Sequence, residues 1–425
     1  MQEFHLKAYW YDLIFLGEQM DLSPKDADLT GPIAIDSTAP EGLIFHYADE
    51  AKPLATPWQV AVERAKLVRK CNLPEGIILD PACGSGIQLA AYCAMLGRKG
   101  FGIEMDELTA KAANSNLKRV SEHGFGESLL ESTIRIGDGT MGDVEHKFAM
   151  LHLDPARPRN SRTHGIEEMA PKLPEIFAAW KDKLAHGERG PAILLDLSPR
   201  LDSKQRLEVE EIVNSYWPGI GKTWVWTSRG RGRVDRLSLW IGQLSSPTAS
   251  RRFIRIPPDF KDKPLIIEGD FTEFSEQRRP PRKGEHVSIL DAALVESGLA
   301  TQYLEKVLPG QDITWSVSQG RRPQIHHPNS IKFENQQQKM LIQASGRIVK
   351  LVHSELLEDT ISHLVEASRE YGFGKLTLRV SLDPELQPRL QGSLDRQLSS
   401  KGGMHTGFVA KQPHDSMLLL CLETQ

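Results

Sequence analysis

The stretch "IILDPACGSG", residues 77–86, decides the fold. Its apolar residues are typical of the end of a buried strand, and they are followed by Asp80 and by a turn that contains Gly84 and Gly86. Glycines at such a turn let backbone N–H groups approach a ligand closely, and a helix that starts there adds the positive end of its dipole. The stretch therefore predicts a strand, a binding loop and a helix arranged around a nucleotide-like ligand.

The alternation of strand and helix continues through residues 77–243. The predicted strands are 77–80, 101–106, 132–138, 148–154 and 192–198, and the predicted helices are 86–97, 107–123, 166–185 and 203–216. Apolar strands separated by amphipathic helices indicate a mostly parallel, doubly wound α/β sheet with helices on both faces. Two further strands, "KTWVWTS" (222–228) and "RLSLWIG" (236–242), flank a short segment with two glycines, which predicts an antiparallel terminal hairpin.

The flanking regions differ from this sheet in their pattern. Residues 1–54 are interpreted as a helical N-terminal lead-in, 55–245 as the large α/β domain, 246–286 as a basic, proline-rich linker, and 287–425 as a small C-terminal α/β domain. In the C-terminal domain we expect helices at 287–308, 354–372 and 384–400, and strands near 312–317, 346–353, 375–382 and 416–424. The helix predicted at 55–70 has Thr56 as its cap, Pro57 in its first position and Gln59 completing a capping box.

The composition favours a soluble protein of two or three domains. The net charge of -4 over 425 residues provides no global basic field, so binding to nucleic acid would need a local basic patch. The four cysteines stand apart, and no His or Cys cluster has the spacing of a metal site. The first residues lack the long apolar core of a signal peptide, and no apolar run reaches membrane-spanning length. We therefore expect a cytoplasmic protein with no metal and no membrane partner.

The chemistry of the loop distinguishes two kinds of nucleotide-like ligand. A dinucleotide fingerprint has Gly or Ala at the third residue after its second glycine, but this chain has Leu89 there, three residues after Gly86. Leu89 argues against close packing of helix and strand around a pyrophosphate. S-adenosylmethionine (SAM) has no phosphate and carries two cationic groups. An acidic residue before the glycines suits such a cation, and Asp80 supplies it.

The segment "DPACGSG" resembles the first motif of the class I SAM-dependent methyltransferases, which have a Rossmann-like sheet. The resemblance implies that Asp80, Ala82, Gly84 and Gly86 line the methionine end of the cofactor. It covers about residues 52–243, since the predicted hairpin also matches the antiparallel final strand of that family.

Three more segments carry the resemblance in the expected order. Glu104 ends the second strand, where a carboxylate bonds the ribose hydroxyls by the logic of dinucleotide sites. Asp138 follows the third strand, where the family contacts the adenine amino group. Thr56 and Pro57 resemble the threonine-proline segment that covers the cofactor in amino-methyltransferases.

The segment "AMLHLDPARPRN", residues 149–160, predicts a second functional strand end at Asp154. Methyltransferases that act on exocyclic amino groups carry Asp or Asn, two prolines and an aromatic residue there. This chain keeps Asp154 and Pro155 but has Ala156 and Arg157 in the last two places. Asp154 can accept two hydrogen bonds from an amino group. The planar Arg157 could stack on a base, bind a phosphate or carboxylate, or pair with a neighbouring acid.

The "DPAR" segment, together with "LLDLSPRLD" at 194–202, resembles prokaryotic methyltransferases that carry a C-terminal THUMP-like domain. THUMP domains are RNA-binding modules of several tRNA-modifying enzymes, so the resemblance implies an RNA partner. Residues 226–286 hold thirteen Lys and Arg against eight Asp and Glu, which allows a local basic patch. The candidate RNA-binding residues are Arg159, Arg162, Arg229, Arg231 and Arg233. Such basic loops are also commonly just solvated.

The sequence hypothesis is a SAM-dependent methyltransferase that acts on structured RNA, either tRNA or rRNA, at a base amino group such as that of guanine. Asp154, Pro155 and Arg157 would form the methyl-transfer site. Two alternatives stay open. The substrate could be a protein or a small molecule, since the aromatic residue is missing, or the chain could bind SAM or RNA without catalysis.

Overall fold

A computed structural model describes residues 19–48, 56–157, 165–230, 232–259, 261–277, 279–399, 403–412 and 417–424. These residues fall into two compact units. The first comprises the described parts of Met1–Lys222 and Ser238–Pro247, and the second those of Thr223–Leu237 and Thr248–Gln425.

The strands of the first half of the chain include all the predicted ones, in their predicted order, and further short strands. They are β1 (Met20–Leu22), β2 (Ile33–Ile35), β3 (Ile44–His46), β4 (Ile77–Asp80), β5 (Gly100–Glu104), β6 (Thr133–Ile136), β7 (Phe148–Leu153), β8 (His186–Gly187), β9 (Gly190–Leu197), β10 (Lys222–Ser228) and β11 (Arg236–Gly242). Strand β10 belongs almost entirely to the second unit, and most of β11 belongs to the first. The chain reverses between them, and the Asp235 N–H donates to the Thr227 carbonyl at 2.9 Å.

The sheet of the first unit has the strand order β1-β6-β5-β4-β7-β9-β11. The pairs β6–β5, β5–β4, β4–β7 and β7–β9 are parallel, and β1 runs antiparallel to β6. All six residues of β7 are buried, as expected for a strand covered on both faces. The chain builds outward from β4 in one direction and from β7 in the other. In such sheets ligands bind at the carboxyl ends of the two strands where the order reverses.

The helices of the first unit are α1 (Trp58–Val68), α2 (Ile87–Leu96), α3 (Glu107–Val120), α4 (Leu173–Trp180) and α5 (Ser203–Tyr216). Helix α5 has the predicted bounds, and Asp202 and Gln205 form a capping box at its start. The single helix predicted at 166–185 is wrong. A short turn at Ile166–Glu168, α4 and a second short turn at Lys181–Lys183 form there. The helix cannot run through Pro171, which donates no helical hydrogen bond and restricts the residue before it.

Helix α1 starts differently from the prediction. Pro57 is the residue that flanks the helix rather than its first residue, so the capping box from Thr56 to Gln59 is wrong. Its first N–H groups are satisfied from an earlier loop instead. The Trp58 N–H donates to the Asp36 carboxylate at 2.7 Å, and the Gln59 N–H donates to the Thr38 hydroxyl at 3.2 Å. A long-range contact thus replaces a local one.

The lead-in expected at 1–54 has strands and a short 3-10 turn, Pro24–Asp26, in the part that the structure describes. Residues 1–18 and 49–54 lie outside the described residues, so that part of the prediction is not addressed. Between them, β1 extends the sheet next to β6, with Met20 opposite Ile136, and β2 pairs antiparallel with β3. The β-branched and aromatic residues of β2 and β3, among them Ile33, Ile35 and Phe45, favour short strands over a helix.

The second unit is built around a mixed sheet. Its further strands are β12 (Arg251–Arg255), β13 (Leu265–Gly269), β14 (His286–Leu290), β15 (Thr314–Val317), β16 (Gln324–His327), β17 (Ile342–His353), β18 (Phe373–Leu378), β19 (His405–Lys411) and β20 (Met417–Glu423). Its helices are α6 (Ala292–Glu296), α7 (Ala300–Val307), α8 (Gln336–Lys339), α9 (Ile361–Glu370) and α10 (Leu386–Ser399). Seven strands follow the order β15-β16-β14-β17-β20-β19-β18, and β12 pairs in parallel with β10 and antiparallel with β13.

Two segments of this unit differ from their expected structure. The interval 246–286, expected to be a linker, contains β12 and β13, whose apolar residues Phe253 and Ile254 are buried. The helix expected from 287 is wrong at its start, because "HVSIL" forms β14 between β16 and β17. Its β-branched residues favour a strand, and Asp291 then caps α6.

Candidate functional site

The loop after β4 brings its glycines to the edge of the sheet. Gly86 has a φ of +70° and precedes the first residue of α2. A Cβ there would lie 2.9 Å from the Ala113 side chain, so glycine allows α3 to pack close to the loop. Gly84 has a φ of +53°, and a Cβ there would meet nothing within 4 Å. One glycine therefore serves packing, whereas the other faces open space at the end of the strand.

Glu104, at the end of β5, is joined directly to this loop. Its carboxylate accepts hydrogen bonds from the Gly84 N–H at 3.1 Å and from the Asp106 N–H at 3.0 Å. Burial raises the pKa of Glu104, and the backbone donors of Asp106 and Gly84 oppose that rise. The structure thus brings Glu104 and Gly84 together, as expected for neighbouring parallel strands.

The loop after β6 lies against the loop after β4. A Cβ on Gly139 would be 1.9 Å from the Pro81 carbonyl oxygen, so the two backbones touch. Asp138 accepts a hydrogen bond from the Thr140 N–H at 2.8 Å and shapes the turn. The Trp180 indole donates to the Gly139 carbonyl at 2.7 Å and holds the loop from its other side.

Asp154 follows β7, and its side chain lies near helix α2. The Gln88 side-chain amide is 3.5 Å from the Asp154 carboxylate. Pro155 is buried, and Ala156 exchanges two backbone hydrogen bonds with Ala170, at 2.9 and 3.0 Å. Arg157 is half-buried beside this bridge. The loop of the predicted methyl-transfer site is therefore held in place by its backbone.

Behind these loops lies a buried polar cluster that the sequence analysis did not predict. We define it as Arg64, Asp80, Gln88, His152 and Asp196. The Asp80 carboxylate is 2.7 Å from His152 Nδ1, and the Asp196 carboxylate is 3.2 Å from His152 Nε2. Arg64 donates two hydrogen bonds to Asp196, at 2.7 and 2.8 Å. Each member comes from a different strand or helix, from α1, β4, α2, β7 and β9.

Gln88 completes the cluster on the side of Asp154. Its side-chain oxygen accepts from Arg64 at 2.7 Å, and its amide nitrogen donates to Asp196 at 3.1 Å. The same nitrogen is the one that lies 3.5 Å from Asp154. Gln88 therefore connects the buried cluster to the predicted methyl-transfer site.

The charges of the cluster set its pKa values. Burial alone would lower the pKa of His152, but the Asp80 and Asp196 carboxylates raise it to about 9. Burial would raise the pKa of Asp196, but Arg64 and His152 hold it well below its usual range. Tyr92, whose ring lies 5.2 Å from that of His152, has its pKa raised by burial and is neutral.

Sequence signals for the cluster existed but were incomplete. His152 stands inside the apolar run "AMLHLD", where a buried histidine needs partners, and Asp196 stands inside "AILLDL". Nothing in the sequence indicated which residues would meet, because the pairing depends on the order of strands in the sheet.

The segment before α1 adjoins the cluster through that helix. Thr56 is buried, Pro57 is half-buried, and α1 carries Arg64 into the cluster. A role of Thr56 and Pro57 in covering a cofactor stays a prediction.

The predicted RNA-binding arginines have different surroundings. Arg159, Arg162 and Arg231 lie outside the described residues. Arg229 pairs with Asp235 at 3.1 Å, and its backbone N–H donates to the same carboxylate. The Arg233 side chain is 54% exposed and lies 3.6 Å from Asp235. Both described arginines belong to the second unit, whereas Asp154 belongs to the first.

Two other kinds of feature are absent from the described part of the chain. None of its helices is long and apolar enough to cross a membrane. Among the same residues, no group of three or more His, Cys, Asp or Glu is placed to hold a metal ion.

Comparison with known proteins supports the fold. No protein-family model matches the chain, and no curated protein matches it. Among solved structures, it is similar to a proposed methyltransferase of Porphyromonas gingivalis, with a TM-score of 0.55 and 16% identity, over 89% of this chain and 83% of that one. The likeness supports the predicted fold, a mostly parallel, Rossmann-like α/β sheet with a second sheet in the C-terminal part of the chain. At this identity the likeness shows the fold alone.

Two further solved structures are less similar in shape. A proposed class I SAM-dependent methyltransferase of Listeria monocytogenes has a TM-score of 0.32 and 15% identity, over 45% of this chain and 61% of that one. The magnesium protoporphyrin IX methyltransferase of Synechocystis, solved with bound SAM, has a TM-score of 0.31 and 17% identity, over 43% of this chain and 79% of that one.

Proposed function

We propose that the protein is a SAM-dependent methyltransferase that modifies a base amino group of structured RNA, either tRNA or rRNA. One observation carries the proposal: acidic residues stand at the carboxyl ends of four neighbouring parallel strands of a methyltransferase fold. They are Asp80, Glu104, Asp138 and Asp154. Their strands include β4 and β7, between which the strand order reverses and ligands of such sheets bind.

The residues present fit the cofactor that we propose. The open face of Gly84 leaves space for the methionine end of SAM. The Glu104 carboxylate beside it can accept hydrogen bonds from the ribose hydroxyls. Asp138, in the adjoining loop, would accept from the adenine amino group. SAM supplies a methyl group on a sulfonium, whose transfer depends mainly on the alignment of donor and acceptor.

Asp154 would position the acceptor. Its carboxylate can accept two hydrogen bonds from an exocyclic amino group and so orient the nitrogen lone pair. The backbone bridge between Ala156 and Ala170 fixes the loop that carries it. Pro155 would shape the turn, and Arg157 would stack on the base or bind a phosphate.

Three features support RNA as the substrate. Arg157 adjoins the proposed acceptor site, the exposed Arg233 offers a cation, and residues 226–286 carry an excess of basic residues. The resemblance of "DPAR" and "LLDLSPRLD" to methyltransferases that carry a THUMP-like domain points the same way. A protein or small-molecule substrate, or binding without catalysis, is the competing interpretation.

Transfer of labelled methyl from SAM to total RNA and to total protein tests the proposal. We expect label in RNA, and we expect Asp154→Ala to reduce it at least a hundredfold while SAM binding persists, because the acceptor loses its orientation. Asp182→Ala removes an exposed carboxylate that has no role in the proposed site and serves as the control. Label in protein alone would show another substrate class, and SAM binding without label would show a non-catalytic protein.

A further inference from the structure

The two ring nitrogens of His152 reveal its charge. Each faces a carboxylate oxygen, from Asp80 at 2.7 Å and from Asp196 at 3.2 Å. A neutral imidazole has one N–H, so it can donate to only one of these acceptors. With both carboxylates ionised, the geometry requires an imidazolium that donates from both nitrogens.

The surroundings balance this charge. Two cations, Arg64 and His152, and two anions, Asp80 and Asp196, are buried together. Two other groups lie near His152. Tyr92 is neutral, and Asp154, two residues further along the chain, is linked to the cluster through Gln88. Loss of one proton from His152 would leave one of the two buried carboxylates against a ring nitrogen without a hydrogen, which is strongly unfavourable.

Asp80 itself has little access to a ligand. Its side chain is 1% exposed, with one oxygen on His152 and the other accepting from the Ala82 N–H at 3.3 Å. Asp80 therefore reaches the backbone of the loop through the Ala82 N–H, and its direct contact with the cofactor stays a prediction. On the other side, Asp196 and Gln88 link the same histidine to Asp154.

We propose that His152 is a positioning residue whose protonated ring joins the cofactor loop after β4 to the acceptor residue Asp154 after β7. Through Asp80 it orients the backbone of the loop, and through Asp196 and Gln88 it orients Asp154. Deprotonation would loosen both at once. The consequence for SAM binding rests on the proposed function, whereas the charge of His152 does not.

Two measurements on the full chain test this inference. Nuclear magnetic resonance of ring-labelled histidine follows the protonation of His152 directly, and we expect a midpoint near pH 9. Calorimetry follows SAM affinity against pH, and we expect wild-type affinity to fall as pH rises through the same range. In His152→Gln we expect affinity about tenfold weaker at pH 7.5, with the alkaline fall removed. His186→Gln changes an exposed histidine of the same unit and should match the wild type.

The outcomes separate the inference from the function. A His152 ring that titrates at or below pH 6.5 overturns the inference, and this result needs no variant to fold. Wild-type SAM affinity that is flat up to pH 10, or a His152→Gln variant that keeps the alkaline fall, overturns the positioning role. Wild-type protein that binds no SAM at any pH overturns the proposed function, while the titration still decides the charge of His152.

Discussion

At the residue scale, His152 should make the stability of the protein depend on pH. Its pKa is raised from 6.5 to about 9 in the folded state, so folding favours the protonated ring. The stabilisation is fully present below pH 6.5 and is lost as pH rises through about 9. We expect the free energy of unfolding to fall by up to about 3 kcal/mol over this interval. Urea unfolding at several pH values measures it.

The variant that isolates this effect is His152→Gln, which removes the titrating group. Its stability should be lower than that of the wild type at pH 6.5 and should change little up to pH 9.5. His186→Gln should keep the wild-type slope. A wild-type stability that does not change across this interval would contradict the prediction.

At the scale of elements, the loop between β4 and α2 can be tested with two matched glycines. Gly84 and Gly97 both have positive φ values, +53° and +64°, and a Cβ on either would meet nothing within 4 Å. Gly84→Ala and Gly97→Ala should each cost about 1 kcal/mol of stability from backbone strain. Only Gly84→Ala should weaken SAM binding, by tenfold or more, because its methyl group would occupy the proposed binding space.

The comparison needs thermal unfolding and calorimetry on both variants. Gly97 follows α2 at its carboxyl end, so it controls for strain at the other end of the same helix. Equal SAM affinities in the two variants would show that the open face of Gly84 is not part of the cofactor site.

Most of the strands and helices between residues 77 and 243 could be predicted because their sequence patterns are local. The apolar run of β7 and the capping box of α5 need no distant partner to be recognised. The start of α1 could not be predicted, since its first N–H groups bond Asp36 and Thr38, about twenty residues away. In the same way, "HVSIL" forms a strand because β16 and β17 flank it.

The same difference between local patterns and distant contacts decides which residues of the candidate site could be predicted. Asp80, Glu104, Asp138 and Asp154 could be predicted because each follows an apolar strand, and parallel strands end at one edge of a sheet. The buried cluster could not be predicted, because nothing in two separate apolar segments indicates that the histidine of one contacts the aspartate of the other.

At the scale of the whole molecule, the chain passes between its two compact units more than once. Thr223–Leu237 belongs to the second unit although Ser238–Pro247 returns to the first. Strand β10 pairs with β12 through residues Trp224–Ser228. The domain boundary expected after residue 245 would therefore separate β10 from β12.

A chain that ends after residue 245 should be poorly soluble. It would leave the β10 residues Trp224, Val225 and Trp226 without the strand that they pair with, and an apolar strand edge promotes aggregation. A chain that ends after Asp270 keeps β12 and β13 and should be more soluble. Sedimentation of both chains beside the full-length protein measures the difference. Equal solubility of the shortest and the full-length chain would support the boundary expected from the sequence.

The buried cluster also limits how this sequence can diverge. Replacing Asp196 alone would remove the carboxylate that both Arg64 and His152 contact, and replacing His152 alone would remove the donor to Asp80. Each single change would leave a buried charge without its partner and would therefore destabilise the protein. Joint replacement by apolar residues of similar volume escapes that penalty. In descendants of this chain the four charged positions of the cluster, Arg64, Asp80, His152 and Asp196, should therefore be kept or lost together. Sequences that keep all four should have the same network of buried hydrogen bonds behind the loops at the strand ends.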